Sequence, residues 1–312
     1  MASDFSFTKE KLDEWVAECR VYCRDGEVAR YIPELSNVSG DVLGITICGL
    51  NGEFLQSGDC AHPFTMQSIS KVVSLLLALI DHGEQKVFQK VGMEPTGEDY
   101  NSILKLELIQ PGIPFNPMIN AGAIAISSMI KGKDPEHRAQ RVLDLVRQLC
   151  GSHDIFYNMN VFRSEFATAN RNRSLAYFLK DNRVIEGDIE EILEVYIRHC
   201  SIEITCSHLA RMGLVLANGG VDPFTSQRIV PARYVQIVKT FMVTCGMYNA
   251  SGEFAIKVGI PAKSGVSGGI LGIVPGQMGI GVIGPALDEK GNSVAGVQLL
   301  KRLSEYGNLS IF

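Results

Sequence analysis

Apolar side chains recur at helical spacing from Thr8 to Cys23, where Leu12, Trp15, Val16 and Cys19 share one stripe. The pattern predicts an N-terminal amphipathic helix that packs on a sheet. Two strand-like runs follow, Val42 to Cys48 and Glu53 to Ser57, separated by a turn containing Asn51-Gly52. That dipeptide is the strongest short hairpin signal, because both residues tolerate positive φ. From Ser68 to Asp81 the chain has no glycine or proline and is apolar nearly all round (Val72, Val73, Leu75, Leu76, Leu77, Leu79). A buried central helix reads this way, with Gly83 at the position of its C-terminal cap.

Between about Lys86 and Asn218 the patterns are mostly helical: Arg138 to Leu149, Ser174 to Lys180, Ile189 to Arg198 and Cys206 to Leu216. After Tyr248 the texture shortens. Phe254 to Val258, Ala262 to Ser264, Gly269 to Val274 and Met278 to Ile283 read as strands punctuated by glycine and proline, and Val294 to Leu303 as a closing helix. Strands at both ends around a helical middle predict one antiparallel sheet in which the chain ends meet, flanked by terminal helices. The fold class is therefore α/β in the α+β sense. Residues 1–312 are expected to form a single catalytic domain, with a helical subdomain at about 86–218 inserted between the two parts of the sheet subdomain.

Composition narrows the function. A length of 312 residues, 46% hydrophobic and 20% charged, is that of a globular enzyme rather than a disordered or fibrous chain. The net charge of −5 with no basic run argues against nucleic acid or an anionic membrane as partner. No apolar run approaches the roughly 20 residues that span a bilayer. The start, Met-Ala-Ser-Asp-Phe, lacks the features of a signal peptide, so a cytoplasmic protein is expected. Eight scattered cysteines without C-x-x-C pairs fit reduced core thiols, and six histidines without metal-ligand spacing argue against a metal.

Two motifs carry the chemistry. Ser68-Ile69-Ser70-Lys71 is an S-x-x-K, which on a helix places the lysine amine on the serine's face. A serine hydroxyl is a weak nucleophile until a base takes its proton, and a lysine desolvated by an apolar helix can be that base. Downstream, Lys263-Ser264-Gly265 matches the K-T-G that accompanies S-x-x-K in penicillin-recognising enzymes. An edge strand with a cation, a hydroxyl and a glycine leaving room for substrate can line a cleft opposite the Ser68 helix. The N–H groups of Ser68 and Val266 would then make an oxyanion hole. Two other matches mislead. Gly265-Val266-Ser267-Gly268-Gly269 fits G-x-S-x-G, but a strand follows where that elbow needs a helix. Gly279 to Gly284 fits G-x-G-x-x-G, but Pro285 stands where a dinucleotide-binding helix must run.

Further segments extend the pattern along the chain: Tyr31-Ile32-Pro33-Glu34-Leu35, Met66-Gln67-Ser68-Ile69-Ser70-Lys71, Asn116-Pro117-Met118-Ile119-Asn120-Ala121-Gly122, Cys200-Ser201-Ile202-Glu203, Cys245-Gly246-Met247-Tyr248 and Pro261-Ala262-Lys263-Ser264-Gly265-Val266. With these, the sequence resembles the serine-dependent glutaminases from Tyr31 to Val297, in a short form without the ankyrin region of longer animal members. The resemblance implies a β-lactamase/DD-peptidase-like fold and hydrolysis of L-glutamine to L-glutamate and ammonia without a cofactor. It implies Ser68 as nucleophile, Lys71 as proton acceptor and Tyr248 as a further proton-transfer group. Tyr31, Gln67, Ser68, Asn120, Glu165, Asn172, Tyr196, Tyr248 and the Val266 backbone would contact the substrate. Within that set, Glu165 suits an α-ammonium, and the amides of Asn120 and Asn172 suit an α-carboxylate. A homo-oligomer, dimer or tetramer, is expected.

Two rivals follow from the same residues. One is a penicillin-recognising hydrolase or esterase, which nitrocefin turnover would reveal. The other is a catalytically silent glutamine- or glutamate-binding protein, which would bind ligand without releasing ammonia.

Overall fold

The computed structural model describes residues 7–97, 100–103, 106 and 112–312, so the first residues and parts of the 86–218 span lie outside it. The N-terminal stripe forms helix α1 (Lys9–Cys19), capped by the Thr8 hydroxyl accepting from the Lys11 N–H, and it tightens into a 3-10 turn over Arg20–Asp25. Strands β1 (Gly44–Gly49) and β2 (Phe54–Gly58) pair antiparallel, and Gly52 takes φ 87° in the predicted turn.

The two ends of the chain meet in one sheet. β1 pairs with β8 (Met278–Ile283), β8 with β7 (Gly269–Val274), and β7 with β6 (Ala262–Ser264), giving the antiparallel order β2-β1-β8-β7-β6. Both faces of its central strands are buried, so these strands read as nearly continuous apolar runs rather than as alternating polar and apolar positions. Ile280 and Val282 of β8, with Ile45 and Ile47 of β1, pack against Leu12, Trp15 and Val16 of α1 and Leu299, Leu300 and Leu303 of the closing helix α11 (Val294–Gly307). Gly279 and Gly281 face the other way. A Cβ on either would collide with backbone of α8 (Cys206–Ala217), at Ala210 and Leu214 or at Cys206 and Ala210. The glycines of the G-x-G-x-x-G match thus let a helix lie close on the sheet.

The long apolar segment is α2 (Ser70–Val87), buried from Ser70 through Leu79. At Gly83 the backbone leaves helical geometry (φ 76°, ψ 167°) before a last short turn, so the expected cap is an interruption. Around α2 lie α3 (Asn120–Met129), α4 (Pro135–Cys150), α5 (Met159–Thr168), α6 (Asn170–Asp181), α7 (Ile189–Cys200) and α9 (Ala232–Cys245). Among them sits a sheet absent from the sequence reading, in the order β3 (Phe64–Thr65), β5 (Ile202–Ile204), β4 (Phe156–Tyr157). One predicted strand is a helix. Phe254 to Val258 belongs to α10 (Ser251–Lys257), where Phe254 is buried and Ile256 is exposed.

The close seat of α8 generates a test. Gly279→Ala should destabilise the protein by about 1–3 kcal/mol, the usual cost of overpacking. Gly252→Ala, in α10 with nothing within 4 Å of a new Cβ, should not. Thermal melting of the two variants decides, and equal melting temperatures would refute the packing role.

Candidate active site

Ser68 lies in a 3-10 turn, Gln67–Ile69, that runs directly into α2. Gln67 adopts φ 47°, a region that few non-glycine residues enter and that persists only when the surroundings enforce it. One enforcing contact comes from the K-S-G strand. A Cβ at Gly265 would stand 2.6 Å from Met66 O, so this glycine lets β6's end approach the Ser68 turn rather than leaving room for substrate. Among the described residues, neither the Ser68 nor the Val266 N–H is taken by a backbone carbonyl.

Lys71 follows one turn later and is completely buried. Its Nζ donates to Asn120 Oδ1 at 2.7 Å and Met118 O at 3.1 Å, and makes no hydrogen bond to Ser68. Burial brings its pKa down to about 8, with Cys200 and Glu165 opposing the fall. The Lys71 bond settles the orientation of Asn120, whose Nδ2 is left to donate to Asn172 Oδ1 at 3.1 Å. The Asn172 amide N–H groups are then the ones without a protein acceptor among the described residues.

Glu165, on α5, is buried and accepts from Gln67 Nε2 at 3.3 Å. Burial raises its pKa to about 7 against the Gln67 bond and the charge of Lys71. Tyr196, on α7, is buried with its pKa raised by burial. Tyr31 is more than half exposed, and desolvation, with the charges of the nearby Tyr100, Tyr248 and Glu165, raises the pKa of its phenol.

Tyr248 opens a 3-10 turn with φ 52°. Burial raises its pKa and the neighbouring Ser68 hydroxyl opposes the rise, yet no well-formed hydrogen bond reaches the phenol oxygen. Its ring stacks on Tyr100 with centroids 4.7 Å apart, a partner that no motif announced. Lys263 does not line the cleft as the sequence suggested. It is fully buried, donates to Gly246 O at 3.0 Å and Ser264 O at 2.7 Å, and holds its Nζ 4.4 Å from the Tyr248 ring centre. Burial and the charge of Lys71 hold its pKa well below the usual lysine value, and its N–H groups serve the two carbonyls while Nζ sits under the tyrosine ring. A cavity of about 510 Å³ opens beside Tyr31, Tyr100, Val266 and Gly291. Ser267 lies in the β6–β7 turn, followed by strand and not helix.

Glu165 generates a stability prediction. Its pKa is raised on folding, so the stability it confers is present below about 4.5 and is lost as pH rises through about 7. Glu165→Gln should therefore melt higher than the parent at pH 8, by up to a few kcal/mol of stability, and match it near pH 4.5. The same melting-temperature difference at both pH values would show that ionising Glu165 costs the fold nothing.

The arrangement can be set against known proteins. A glutaminase family model matches residues 26–312. A glutaminase of Alkaliphilus metalliredigens is 54% identical over 303 residues, covering 97% of this chain and 99% of that protein. The crystal structure of a Bacillus glutaminase in 4.3 M NaCl superposes with a TM-score of 0.91 at 42% identity, covering 97% and 99% of the two chains. A Bacillus subtilis glutaminase in covalent complex with 5-oxo-L-norleucine, formed by reaction with 6-diazo-5-oxo-L-norleucine, gives 0.88 at 40% identity, covering 97% and 99%. The fold is the β-lactamase-like fold of those enzymes, and the chain belongs to the glutaminase family.

Proposed function

We propose that this chain hydrolyses the side-chain amide of L-glutamine to L-glutamate and ammonia through an acyl-enzyme on Ser68, as a single catalytic domain. The observation that carries the reading is a serine in a strained turn followed, one helical turn later, by a buried lysine whose pKa is about 8. Lys71 takes the Ser68 proton as Oγ attacks the amide carbon. The N–H groups of Ser68 and Val266 receive the oxyanion. Tyr248 passes a proton to the amide nitrogen, the C–N bond breaks and ammonia leaves. Water then attacks the glutamyl ester, giving up a proton to the same groups, and Ser68 departs with its proton restored.

Recognition follows from charge. Glu165 faces the α-ammonium, and Asn172, oriented through Asn120, donates to the α-carboxylate. Tyr31, Gln67 and Tyr196 border the chain of the substrate. The covalent complex formed by the Bacillus subtilis relative with a diazo-ketone supports a nucleophile in this pocket.

Ser68→Ala should lower ammonia release from glutamine by several orders of magnitude in a folded protein, while Ser267→Ala stays near the parent. A folded Ser68→Ala enzyme within tenfold of parent activity would exclude Ser68. The lysine makes a second prediction. Lys71 must be neutral to accept a proton, and below its pKa it is charged, so kcat/KM should climb with pH to a limb near 8. A profile flat from pH 5 to 8 would remove Lys71 as the base.

A further inference from the structure

The peptide joining Gln67 to Ser68 is one rigid plane, with the Gln67 carbonyl and the Ser68 N–H pointing to opposite sides. Whatever fixes the carbonyl therefore aims the N–H. Ser70 Oγ donates to Gln67 O at 2.6 Å, and behind it stands His199 Nδ1 at 2.7 Å. On the far side of the ring, His199 Nε2 meets Ser127 Oγ at 3.0 Å, and Ser127 Oγ also lies 2.8 Å from Ala123 O. All three side chains are fully buried, and Tyr196 meets the imidazole edge-on at 5.4 Å, pinning its plane.

Counting protons gives the network a direction. Carbonyls only accept, so if both serines donated to theirs, His199 would have to donate from both nitrogens as an imidazolium. Burial, reinforced by the charge of Lys71, pushes its pKa down to about 3, so the ring is neutral. Three protons then serve four contacts, and one contact must lapse. The two on the Ser70 side are the shorter, which selects the Nδ1–H tautomer; on the other side Ala123 O lies within α3 and has the helix's own N–H to accept, whereas a bare Nε2 has Ser127 as its donor, so the Ser127 hydroxyl turns to the ring. The chain runs from Ser127 to His199 Nε2, from His199 Nδ1 to Ser70, and from Ser70 to the Gln67 carbonyl.

We propose that His199 is a positioning residue for the reaction: backed by Ser127 and acting through Ser70, it holds the Gln67 carbonyl and so aims the Ser68 N–H at the oxyanion. The inference rests on the reading of Ser68 as nucleophile and oxyanion donor. His199 touches no substrate and moves no proton during turnover.

The test uses three variants of the full chain. His199→Leu should lower kcat about 10- to 100-fold, less than loss of an oxyanion donor outright. KM should stay within about threefold and the limbs of the pH profile should not move. His199→Gln should recover most of the rate, because its amide N–H can serve Ser70 while its oxygen takes the Ser127 proton. Ser70→Ala should lower kcat at least as much as His199→Leu, since it removes the hydroxyl that reaches Gln67 O and leaves that carbonyl the Ser70 backbone N–H, and it carries the test if the leucine variant does not fold. A merely structural histidine would lower the melting temperature of His199→Leu and leave kcat of the folded enzyme unchanged, overturning the proposal. Equal losses in the leucine and glutamine variants, or a displaced pH limb, would overturn it too. Mass spectrometry of the parent after reaction with 6-diazo-5-oxo-L-norleucine separates the two readings. Ser68 labelled with kcat of His199→Leu unchanged rejects the relay alone; Ser68 unlabelled rejects the nucleophile beneath it.

Discussion

Lys71 is buried in the first turn of α2, and among the described residues its Nζ has Met118 O and Asn120 Oδ1 as hydrogen-bond partners. An ammonium stripped of water costs several kcal/mol unless it is paired and hydrogen-bonded. The fold meets this cost with two oxygens from the start of α3 and a lowered pKa. Both answers shape the site. Since an ammonium has donors and no lone pair to accept with, Asn120 must turn its oxygen toward Lys71, and its nitrogen then orients Asn172 on α6. One buried cation thereby fixes two amides from two helices.

The second constraint is the coupling of that amine to Glu165. Burial drives the two pKa values toward each other, to about 8 and about 7, while their mutual attraction opposes the drift. Burying the two groups therefore carries an electrostatic cost, in the way that sites built for function commonly sacrifice stability.

Periodicity made much of the frame legible. The stripe at Leu12, Trp15, Val16 and Cys19, the Asn51-Gly52 hairpin, the all-round apolar α2 and the strands β6 to β8 were readable because each obeys one period. Phe254 to Val258 was misread because Phe254, Ile256 and Val258 alternate as a strand would, while the helix buries Phe254, and Val258 just past its end, and leaves Ile256 exposed. The motifs located Ser68 and Lys71 but misplaced the roles of Lys263 and Gly265, because spacing along the chain does not say which surface a strand meets. Ser70, Ser127 and His199 carry no motif: a buried network is assembled from three helices, and nothing local marks its members.

The misplaced residues explain how a sheet edge becomes part of a site. β6 is the outermost strand on its side, and an open edge invites pairing with another chain. Here the Ser264 N–H donates to Gly246 O at 3.1 Å, and Lys263 Nζ reaches the same carbonyl. The segment just before Tyr248 therefore covers the edge, and the lysine amine that secures it also lies against the tyrosine ring. At Gly265 the strand bends against Met66 O, and the cover stops. The next N–H is that of Val266, which no backbone carbonyl takes among the described residues. The donor assigned to the oxyanion is thus the first unpaired N–H beyond a protected edge, held beside the Ser68 turn by the absence of a single Cβ.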